Sequence, residues 1–341
     1  AGRWLRLAVR PPAEQPRILA ALATALGHSE PSRRARRPTA RSIMLQGCSS
    51  DAGKSVLTAA LCRCLRQDGF DVAPFKAQNM SNNAAVDATG GELGRAQAMQ
   101  AQACGLAPDC RMNPVLLKPT GPRGCQVVLA GRAIGHHGVD GWLDLRERAR
   151  AASCAAFDAL AAEHRIIVCE GAGSPGEVNL KERDMVNMGF VRQRPMPVLL
   201  VGDIDRGGVY ASFVGHLAVF DEWERARVAG FLVNRFRGDA SLLAPAHSYV
   251  EEATGVPVLG VVPWIRDLGL PDEDRVALSR GERQTSGPAE AAIDIAVPAT
   301  PAISNLDDLD PFTVEPDVRL RLVERGAELG RPAAVLLLGS K

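Results

Sequence analysis

The sequence predicts an α/β protein built on a doubly wound, mainly parallel sheet, followed by an incomplete second α/β domain. From about residue 42 to 265, short apolar runs alternate with helical stretches, and a glycine-rich turn joins the first run to the first helix. Strands of a parallel sheet are buried on both faces, so they appear as near-continuous apolar runs. Because helices separate the runs, the alternation favours parallel pairing through crossover connections.

The apolar runs predict the strands, and the stretches between them predict the helices that cover the sheet. The predicted strands are 42–46, 71–75, 126–130, 165–169, 197–202, 228–233 and 257–262. The predicted helices are 54–67, 92–104, 144–163, 209–221 and 241–254. Ligands of such sheets bind at the carboxyl ends of the strands, so polar residues that follow strands are the candidates for chemistry.

The turn after the first strand has the composition of a phosphate-binding loop. It reads Gly47-Cys48-Ser49-Ser50-Asp51-Ala52-Gly53-Lys54-Ser55. Backbone N–H groups of such a loop face phosphate oxygens, the lysine adds positive charge and the serine can hold Mg²⁺. We predict a P-loop NTPase-like domain that binds ATP; the alternative is a turn that only lets strand meet helix. The predicted nucleotide-binding residues here are Gly47, Ser50, Asp51, Ala52, Gly53, Lys54 and Ser55.

An acid follows the strand 165–169, where it would face the phosphate loop. Glu170 begins the segment Glu170-Gly171-Ala172-Gly173-Ser174-Pro175. A carboxylate there is suited to hold Mg²⁺, directly or through water. A helix-capping acid or a solvated loop is the alternative. With Asp51 inside the loop as a further candidate, the predicted metal residues are Ser55, Asp51 and Glu170.

Other strand ends carry candidates for substrate and base recognition. Lys76, Asn79 and Asn82 follow the strand 71–75 and suit an anion, since the lysine supplies charge and the amides supply donors and acceptors. Lys118 is a further anion-binding candidate. A polar surface loop is the alternative for the first group.

Two further predicted strand ends are open to simpler explanations. Asp203 and Arg206 follow the strand 197–202 and could position substrate or metal, although a plain turn with a local ion pair fits nearly as well. Asn234 follows the strand 228–233, where an asparagine of phosphate-loop proteins often hydrogen-bonds the purine; a β-turn asparagine is the alternative.

Bulk composition excludes several classes of protein. The net charge of +1 gives no overall basis for a nucleic-acid or membrane partner, and no apolar run approaches the roughly 18 residues of a membrane span. None of the 8 cysteines forms a CxxC pair, so we expect small core residues instead of zinc ligands or disulfides. Together with the absence of a signal peptide at Ala1, this predicts a cytoplasmic protein.

Composition shifts divide the chain into five parts. Residues 1–26 predict a short strand and a helix, and 27–40, rich in arginine and proline, predict a linker. Residues 41–265 form the predicted P-loop domain, and the polar stretch 266–290 predicts a second linker. Strands are predicted at 292–297, 318–323 and 333–338 in an incomplete second domain, 291–341.

Several long motifs in one order resemble the cobyric acid synthase family, the glutamine-dependent amidases of cobalamin biosynthesis. They are 46–55, 74–83, 112–119, 170–175, 201–208, 234–239 and 304–311. The resemblance runs from about Arg41 to Lys341 and implies a dethiobiotin synthetase-like fold. Residues 1–26 weakly resemble the C-terminal end of threonine-phosphate decarboxylase.

The resemblance implies ATP-dependent amidation of the b, d, e and g carboxylates of a corrinoid substrate, adenosylcobyrinic acid a,c-diamide. ATP would convert each carboxylate to an acyl phosphate, and ammonia would displace phosphate. Lys54 and Mg²⁺ would neutralise charge, Lys76 with Asn79 and Asn82 would present the carboxylate, and Asn234 would face adenine. Lys54, Lys76, Glu170 and Asp203 are thus the predicted catalytic residues, and Lys118 and Arg206 further substrate-binding ones.

The chain departs from that family after residue 290, where it contains no cysteine and no histidine. The family takes ammonia from glutamine in a C-terminal amidotransferase domain with a nucleophilic cysteine, so we expect this polypeptide not to hydrolyse glutamine and to need free ammonia or a missing piece. Cobyrinic acid a,c-diamide synthase, a dethiobiotin synthetase-like ligase, a nucleotide-binding switch ATPase and an inactive nucleotide-binding fragment are the alternatives. The sequence leaves the oligomeric state open, a homo-oligomer included.

Overall fold

The computed structural model describes residues 40–121, 124–265, 285–286, 293–300 and 306–339. The segment predicted at 1–26, the linker predicted at 27–40 except Ala40, and most of the linker 266–290 lie outside the described residues. Within the described ranges, no helix combines the length and apolar character that crossing a bilayer requires.

The strands and helices follow the predicted alternation over most of the chain. The strands are β1 (Arg41–Gly47), β2 (Val72–Phe75), β3 (Gln78–Met80), β4 (Ala84–Val86), β5 (Glu92–Gly94), β6 (Val115–Gly121), β7 (Gly124–Leu129), β8 (Arg132–Gly138), β9 (Ile166–Glu170), β10 (Val198–Asp203), β11 (Val228–Phe236), β12 (Val258–Pro263), β13 (Thr285–Ser286), β14 (Ile293–Pro298), β15 (Val318–Val323) and β16 (Ala334–Val335). The α-helices are α1 (Lys54–Gln67), α2 (Arg95–Cys104), α3 (Val139–Glu163), α4 (Met188–Gln193), α5 (Val209–Val219), α6 (Glu222–Arg225), α7 (Ala244–Thr254) and α8 (Asp310–Thr313).

Six parallel strands form the central sheet, in the order β12-β11-β10-β1-β9-β2. Successive residues of β1 point into different cores: Ile43 and Leu45 pack with Leu57 of α1, whereas Met44 packs in the cluster that contains Phe213 of α5. Both faces are therefore covered by helices, which confirms the doubly wound, mainly parallel sheet. All six strands end at one edge, which carries the phosphate-binding loop, Lys76, Glu170, Asp203 and Asn234, whereas Lys118 lies in β6 of another sheet.

The prediction for 126–130 is wrong about its sheet. This run forms β7, which pairs antiparallel with β6 and β8 in a separate four-stranded sheet of order β3-β6-β7-β8. A two-residue turn explains the pairing, because Ala130 and Gly131 both have positive φ, 48° and 81°, as tight hairpin turns require. Apolar content alone could not distinguish this hairpin strand from a strand of the central sheet.

Helix boundaries differ from the predictions by a few residues. The helix predicted over 144–163 begins earlier, at Val139, and in the helix predicted over 92–104 the residues Glu92–Gly94 instead form β5, antiparallel to β4. Asp87 closes that hairpin, because its carboxylate accepts hydrogen bonds from the backbone N–H groups of Thr89 and Gly91. The helix itself begins at Arg95.

A small four-stranded sheet lies in the C-terminal part, in the order β13-β15-β14-β16. The strands predicted at 292–297 and 318–323 are confirmed within one residue, whereas the run 333–338 contributes only Ala334 and Val335 to the sheet. Ile295, Val297 and Leu320 form its buried core with neighbouring side chains.

Candidate functional site

A fully buried carboxylate lies at the carboxyl end of β9, next to the phosphate-binding loop. Glu170 is 0% exposed. One oxygen, Oε1, accepts hydrogen bonds from Ser55 Oγ at 2.7 Å and Lys76 Nζ at 2.8 Å. The other, Oε2, accepts from Gln100 Nε2 at 2.6 Å and more weakly from Gln97 Nε2 at 3.5 Å. These five residues are called the Glu170 cluster below.

In the Glu170 cluster, the end of β9 meets residues from three other parts of the chain. Lys76 follows β2, Ser55 lies in the first turn of α1, and Gln97 and Gln100 lie three residues apart on α2, a spacing that puts them on one helix face. The Lys76 and Glu170 side chains are 5% and 0% exposed. A buried ion pair is tolerated when its remaining hydrogen-bonding capacity is used, and the serine and the glutamines meet that requirement at the carboxylate.

The phosphate-binding loop lies between β1 and α1, as the sequence predicts. Lys54 is buried, and its Nζ donates to the carbonyls of Gly173, at 3.0 Å, and Ser49, at 3.3 Å. Glycine is required at Gly53, where φ is 90° and a Cβ would lie 2.2 Å from the Asn234 amide nitrogen. The lysine thus connects its own loop to the small-residue segment that follows Glu170.

Asp51 belongs to a closed ring of two aspartates and two arginines. Its Oδ2 and Oδ1 pair with Arg206 Nη2 at 2.7 Å and Arg235 Nη2 at 3.2 Å. Both arginines also pair with Asp203 Oδ2, Arg235 through Nη1 at 2.8 Å and Arg206 through Nε at 3.3 Å. We call these four residues the arginine–aspartate ring. Asp203 is its most buried member, with its side chain 2% exposed.

Asn234 contacts the phosphate-binding loop from the end of β11. Its Nδ2 donates to the carbonyl of Ala52 at 2.8 Å, and the residue is buried. The neighbouring Arg235 donates through Nη1 to the carbonyl of Asp51 at 3.0 Å. Two consecutive residues therefore hold two consecutive carbonyls of the loop.

Among the remaining predicted anion-binding residues, Asn79 and Lys118 have partners of their own. Asn79 Nδ2 donates to Gln97 Oε1 at 3.3 Å, which ties it to the Glu170 cluster. Lys118 Nζ pairs with both carboxylate oxygens of Glu92, at 3.0 and 2.9 Å, so its charge is already balanced. The Asn82 side-chain oxygen is buried and has no hydrogen-bond partner in the described part of the chain.

A histidine holds the segment that follows Glu170. His216 Nδ1 lies 2.7 Å from the carbonyl of Ser212, so Nδ1 carries the proton, and Nε2 can accept from Ser174 Oγ at 2.8 Å. Burial lowers the pKa of His216, and it outweighs the opposing effects of the Ser212 carbonyl and of Glu177. The histidine is therefore neutral near pH 7, the state in which it can accept this hydrogen bond.

The oxygen ligands that Mg²⁺ prefers are present in the Glu170 cluster. Ser55 Oγ and Glu170 Oε1 lie 2.7 Å apart next to the loop, and hydroxyl and carboxylate oxygens suit this hard cation. Asp51 differs, because both of its carboxylate oxygens already pair with guanidinium groups. The donor chemistry therefore fits a magnesium ion at Ser55 and Glu170, and Asp51 would first have to release an arginine.

Sequence reasoning did not identify several residues that the structure brings to the site. Gln97 and Gln100 gave a usable signal, since they are polar residues three apart on the buried face of a predicted helix. For Arg235 the sequence contains no such signal. A strand normally directs neighbouring side chains to opposite faces, so Arg235 would be expected to point away from the side that Asn234 occupies. The sequence pattern predicts a helix at Glu92, and it contains no signal for the pairing of Glu92 with Lys118.

Comparisons with known proteins agree with this geometry. The family described as "CobQ/CobB/MinD/ParA nucleotide binding domain" matches residues 43–275. The cobyric acid synthase of Nitratidesulfovibrio vulgaris is 55% identical over 302 residues, which cover 88% of this chain and 56% of that protein. The cobyric acid synthase of Yersinia enterocolitica is 50% identical over 300 residues, covering 88% and 58%.

A third relative matches more of the N-terminal segment. The "Adenosylcobalamin biosynthesis bifunctional protein CobDQ" of Leptospira interrogans is 44% identical over 338 residues, which cover 99% of this chain and 39% of that protein. Since 1% of 341 residues is about three, this match takes in most of residues 1–26. The chain spans little more than half the length of the two cobyric acid synthases that it matches.

The matched range covers the central sheet, the phosphate-binding loop and the carboxyl edge that carries Glu170, Asp203 and Asn234. The chain therefore belongs to the family of CobQ/CobB/MinD/ParA nucleotide-binding domains, and its homologues include cobyric acid synthases that are 50–55% identical to it.

Proposed function

We propose that this chain is the ATP-dependent amidating part of a cobyric acid synthase. It would convert the b, d, e and g carboxylates of adenosylcobyrinic acid a,c-diamide to amides, through acyl phosphate intermediates. The observation that carries the proposal is the Glu170 cluster: a phosphate-loop serine, a lysine from a neighbouring strand end and a buried carboxylate meet within hydrogen-bonding distance. The 50–55% identity to cobyric acid synthases supports the choice of substrate.

The phosphate-binding loop would hold the triphosphate. Its residues Gly47, Ser50, Ala52 and Gly53 would offer backbone N–H groups to the phosphate oxygens, and Lys54 would balance their charge. Among its contacts, Lys54 Nζ donates to two backbone carbonyls, which are neutral partners that a phosphate could replace. Asn234, whose amide nitrogen already bonds the loop, would face adenine with its remaining amide atoms.

Magnesium is the cofactor that the donor set fits. Ser55 and Glu170 would hold it, and Asp51 would join them only after losing an arginine partner. When bound, the ion would neutralise the negative charge that moves onto the phosphate oxygens during phosphoryl transfer.

The side chains at the end of β2 would present the substrate carboxylate. A carboxylate is a poor electrophile, so the reaction depends on holding one of its oxygens in line with the terminal phosphate. Lys76 would attract that carboxylate, and Asn79 and Asn82 would orient it through their amides. The buried oxygen of Asn82 only accepts hydrogen bonds, so its partner would be a donor on the ligand such as an amide N–H, while the Asn82 NH₂ group would face the carboxylate.

Three predicted residues have weaker support for a direct role. Lys118 pairs with Glu92, so it would bind substrate only by exchanging that partner. Arg206 and Asp203 lie in the arginine–aspartate ring, which supports positioning of the loop over contact with the reacting atoms. We keep Arg206 as a substrate-binding candidate because its side chain is 47% exposed beside the phosphate-binding loop.

The nitrogen donor and the domain arrangement are parts of the same proposal. The chain would use free ammonia, or glutamine hydrolysed by a further amidotransferase segment. Residues 291–341 would be the start of that segment, and residues 1–26 the end of a preceding decarboxylase-like part, as the match to a bifunctional protein supports. We expect the enzyme to act in the cytoplasm.

The test is amidation of the corrinoid, followed by mass spectrometry. The chain is incubated with ATP, Mg²⁺ and ammonium chloride, with and without adenosylcobyrinic acid a,c-diamide. We expect stepwise replacement of carboxyl by amide groups, and corrinoid-dependent ATP hydrolysis. Lys54→Ala should abolish both, because it removes the positive charge that faces the phosphates.

A matched control is Lys181→Ala, a change at a half-buried lysine that pairs with Asp221 and Glu224 far along the sequence from the loop. It should retain amidation at the wild-type rate. ATP hydrolysis that the corrinoid does not alter, with no gain of amide, would rule out this substrate and favour a nucleotide-dependent switch.

A further inference from the structure

The end of β11 contacts the phosphate-binding loop in a way that its strand geometry does not predict. Successive side chains of a strand point to opposite faces, yet Asn234 and Arg235 both reach the same loop. The reason is the backbone of Arg235, whose φ is 61°. A left-handed residue breaks the alternation, so two consecutive side chains turn to one side.

The two contacts fix the orientation of two peptide groups in the loop. Arg235 Nη1 donates to the carbonyl of Asp51 at 3.0 Å, and Asn234 Nδ2 donates to the carbonyl of Ala52 at 2.8 Å. In a planar trans peptide, the C=O and the following N–H point in opposite directions. Holding these two carbonyls towards β11 therefore turns the N–H groups of Ala52 and Gly53 the other way.

Arg235 is itself held in place by a buried carboxylate. Asp203 Oδ2 lies 2.8 Å from Arg235 Nη1, and the Asp203 side chain is 2% exposed. Asp51 is also held in a left-handed conformation, with φ 57°, and Arg235 bonds both its carbonyl and its carboxylate. A chain of contacts thus runs from the interior carboxylate through the guanidinium to the loop backbone.

We propose that Arg235, anchored by Asp203, is a positioning residue that orients the N–H groups of Ala52 and Gly53 towards the phosphates of the bound nucleotide. This inference rests on the proposed nucleotide binding, and it gives Arg235 no contact with the nucleotide. It also assigns Asp203 a supporting role, as the anchor of Arg235.

The direction in which Asp203→Asn changes nucleotide affinity distinguishes a positioning role of Arg235 from a direct effect of its charge. If Arg235 contacted the phosphates, or if only the local charge mattered, Asp203→Asn would remove a competing negative charge and nucleotide affinity would rise or stay unchanged. If Arg235 acts through the loop backbone, Asp203→Asn loosens its anchor and affinity falls.

The experiment is isothermal titration calorimetry with a non-hydrolysable ATP analogue and Mg²⁺. We expect Arg235→Ala to weaken binding about tenfold, since it removes charge-assisted hydrogen bonds that orient the site, and Asp203→Asn to weaken it about threefold. The double variant should bind like Arg235→Ala alone, because both changes act on the same contact. Arg235→Lys should lie between wild type and Arg235→Ala, because lysine lacks the planar fork.

Arg237→Ala is the matched control, since Arg237 lies on the same segment and, like Arg235, over the ring of Trp264, but its ion pair is with Asp205. It should bind like wild type. Affinity that is unchanged in Arg235→Ala, or unchanged or raised in Asp203→Asn, would overturn the inference. Binding of the analogue by the wild-type chain would still leave the proposed function standing. A wild-type chain that failed to bind the analogue would instead reject the proposed nucleotide binding itself.

Discussion

The Glu170 cluster and the arginine–aspartate ring both place a carboxylate beside the phosphate-binding loop, but in opposite surroundings. Glu170 is 0% exposed and bonded to one lysine, one serine and glutamine amides. Asp51 is 37% exposed and shared by two arginines that are themselves partly in solvent. The ion pairs of the two carboxylates therefore differ in strength, because water screens the contacts of Asp51 and is excluded from those of Glu170.

The comparison explains why one carboxylate suits a metal better than the other. Near Glu170, Lys76 supplies a positive charge, and a serine hydroxyl offers a second oxygen ligand. Near Asp51, two guanidinium groups surround the carboxylate, and a cation approaching it would meet their repulsion. Asp51 and its arginines are thus suited to holding the conformation of the loop, whereas the Glu170 cluster is suited to binding a metal ion.

The largest expected effect is the loss of the Glu170 charge. Glu170→Gln removes the counter-charge that the buried Lys76 ammonium now has at 2.8 Å. Breaking one partner of a buried ion pair destabilises a protein by about 3–5 kcal/mol. Urea unfolding followed by circular dichroism measures this as a lower midpoint at an unchanged slope.

The matched control for that measurement is Glu163→Gln. Glu163 also pairs with a cation, Arg111 Nη1 at 2.6 Å, but its side chain is 51% exposed. We expect a cost below about 1 kcal/mol. Equal costs for the two variants would mean that burial does not separate these carboxylates.

A smaller effect is expected for the arginine–aspartate ring. Asp51→Asn keeps a residue type that tolerates the left-handed backbone at φ 57° and removes only the charge. Because the pairs are partly exposed, we expect a loss of about 1 kcal/mol or less in the free energy of unfolding. A loss as large as that of Glu170→Gln would show that the ring is as tightly coupled as the buried cluster.

The effect of salt on stability should also differ between the arginine–aspartate ring and the Glu170 cluster. At about 0.5 M sodium chloride, screening should reduce the cost of Asp51→Asn, while the cost of Glu170→Gln should change little, since ions do not reach a buried pair. The measurement is the same urea titration at low and high salt. A salt-dependent cost at Glu170 would indicate that water enters the cluster.

The smallest effect concerns pH and the segment after Glu170, which His216 holds through Ser174. Burial lowers the pKa of His216 below its ordinary value of 6.5. As pH falls, His216 therefore takes up a proton in the unfolded chain before it does so in the folded chain. Its contribution to the free energy of unfolding is complete above pH 6.5 and is lost as pH falls through the lowered pKa. Part of the acid destabilisation should thus come from this residue.

The variant His216→Gln tests this contribution. The difference in free energy of unfolding between wild type and variant should narrow as pH falls from 7 towards 5, because only the wild type carries the titrating group. Thermal or urea unfolding at several pH values measures it. A difference that stays constant over this range would exclude His216 as a source of the acid destabilisation.

The sequence predicts most of the residues of the proposed nucleotide site, but fewer of the residues that contact them. The loop from Gly47 to Ser55, the strand before it and Glu170 were predicted from local composition and spacing, and the structure has all three at the carboxyl edge of a parallel sheet. The strand at 126–130 was predicted in the wrong sheet, because its antiparallel partners depend on the turn at Ala130 and Gly131. The roles predicted for Lys118 and Asp51 did not include their ion-pair partners. Lys118 pairs with Glu92, and Asp51 pairs with Arg235, which is distant in sequence.

What the sequence alone determined is therefore the chemistry that local pattern encodes: apolar runs that need burial on both faces, and a glycine-rich loop whose φ angles and lysine suit a phosphate. What only the tertiary structure decided is which charges meet. Lys76 and Glu170 are 94 residues apart, and Asp51 and Arg235 are 184 residues apart. Such pairs form because parallel strands bring their carboxyl ends to one edge, where packing fixes the partners that sequence spacing cannot encode.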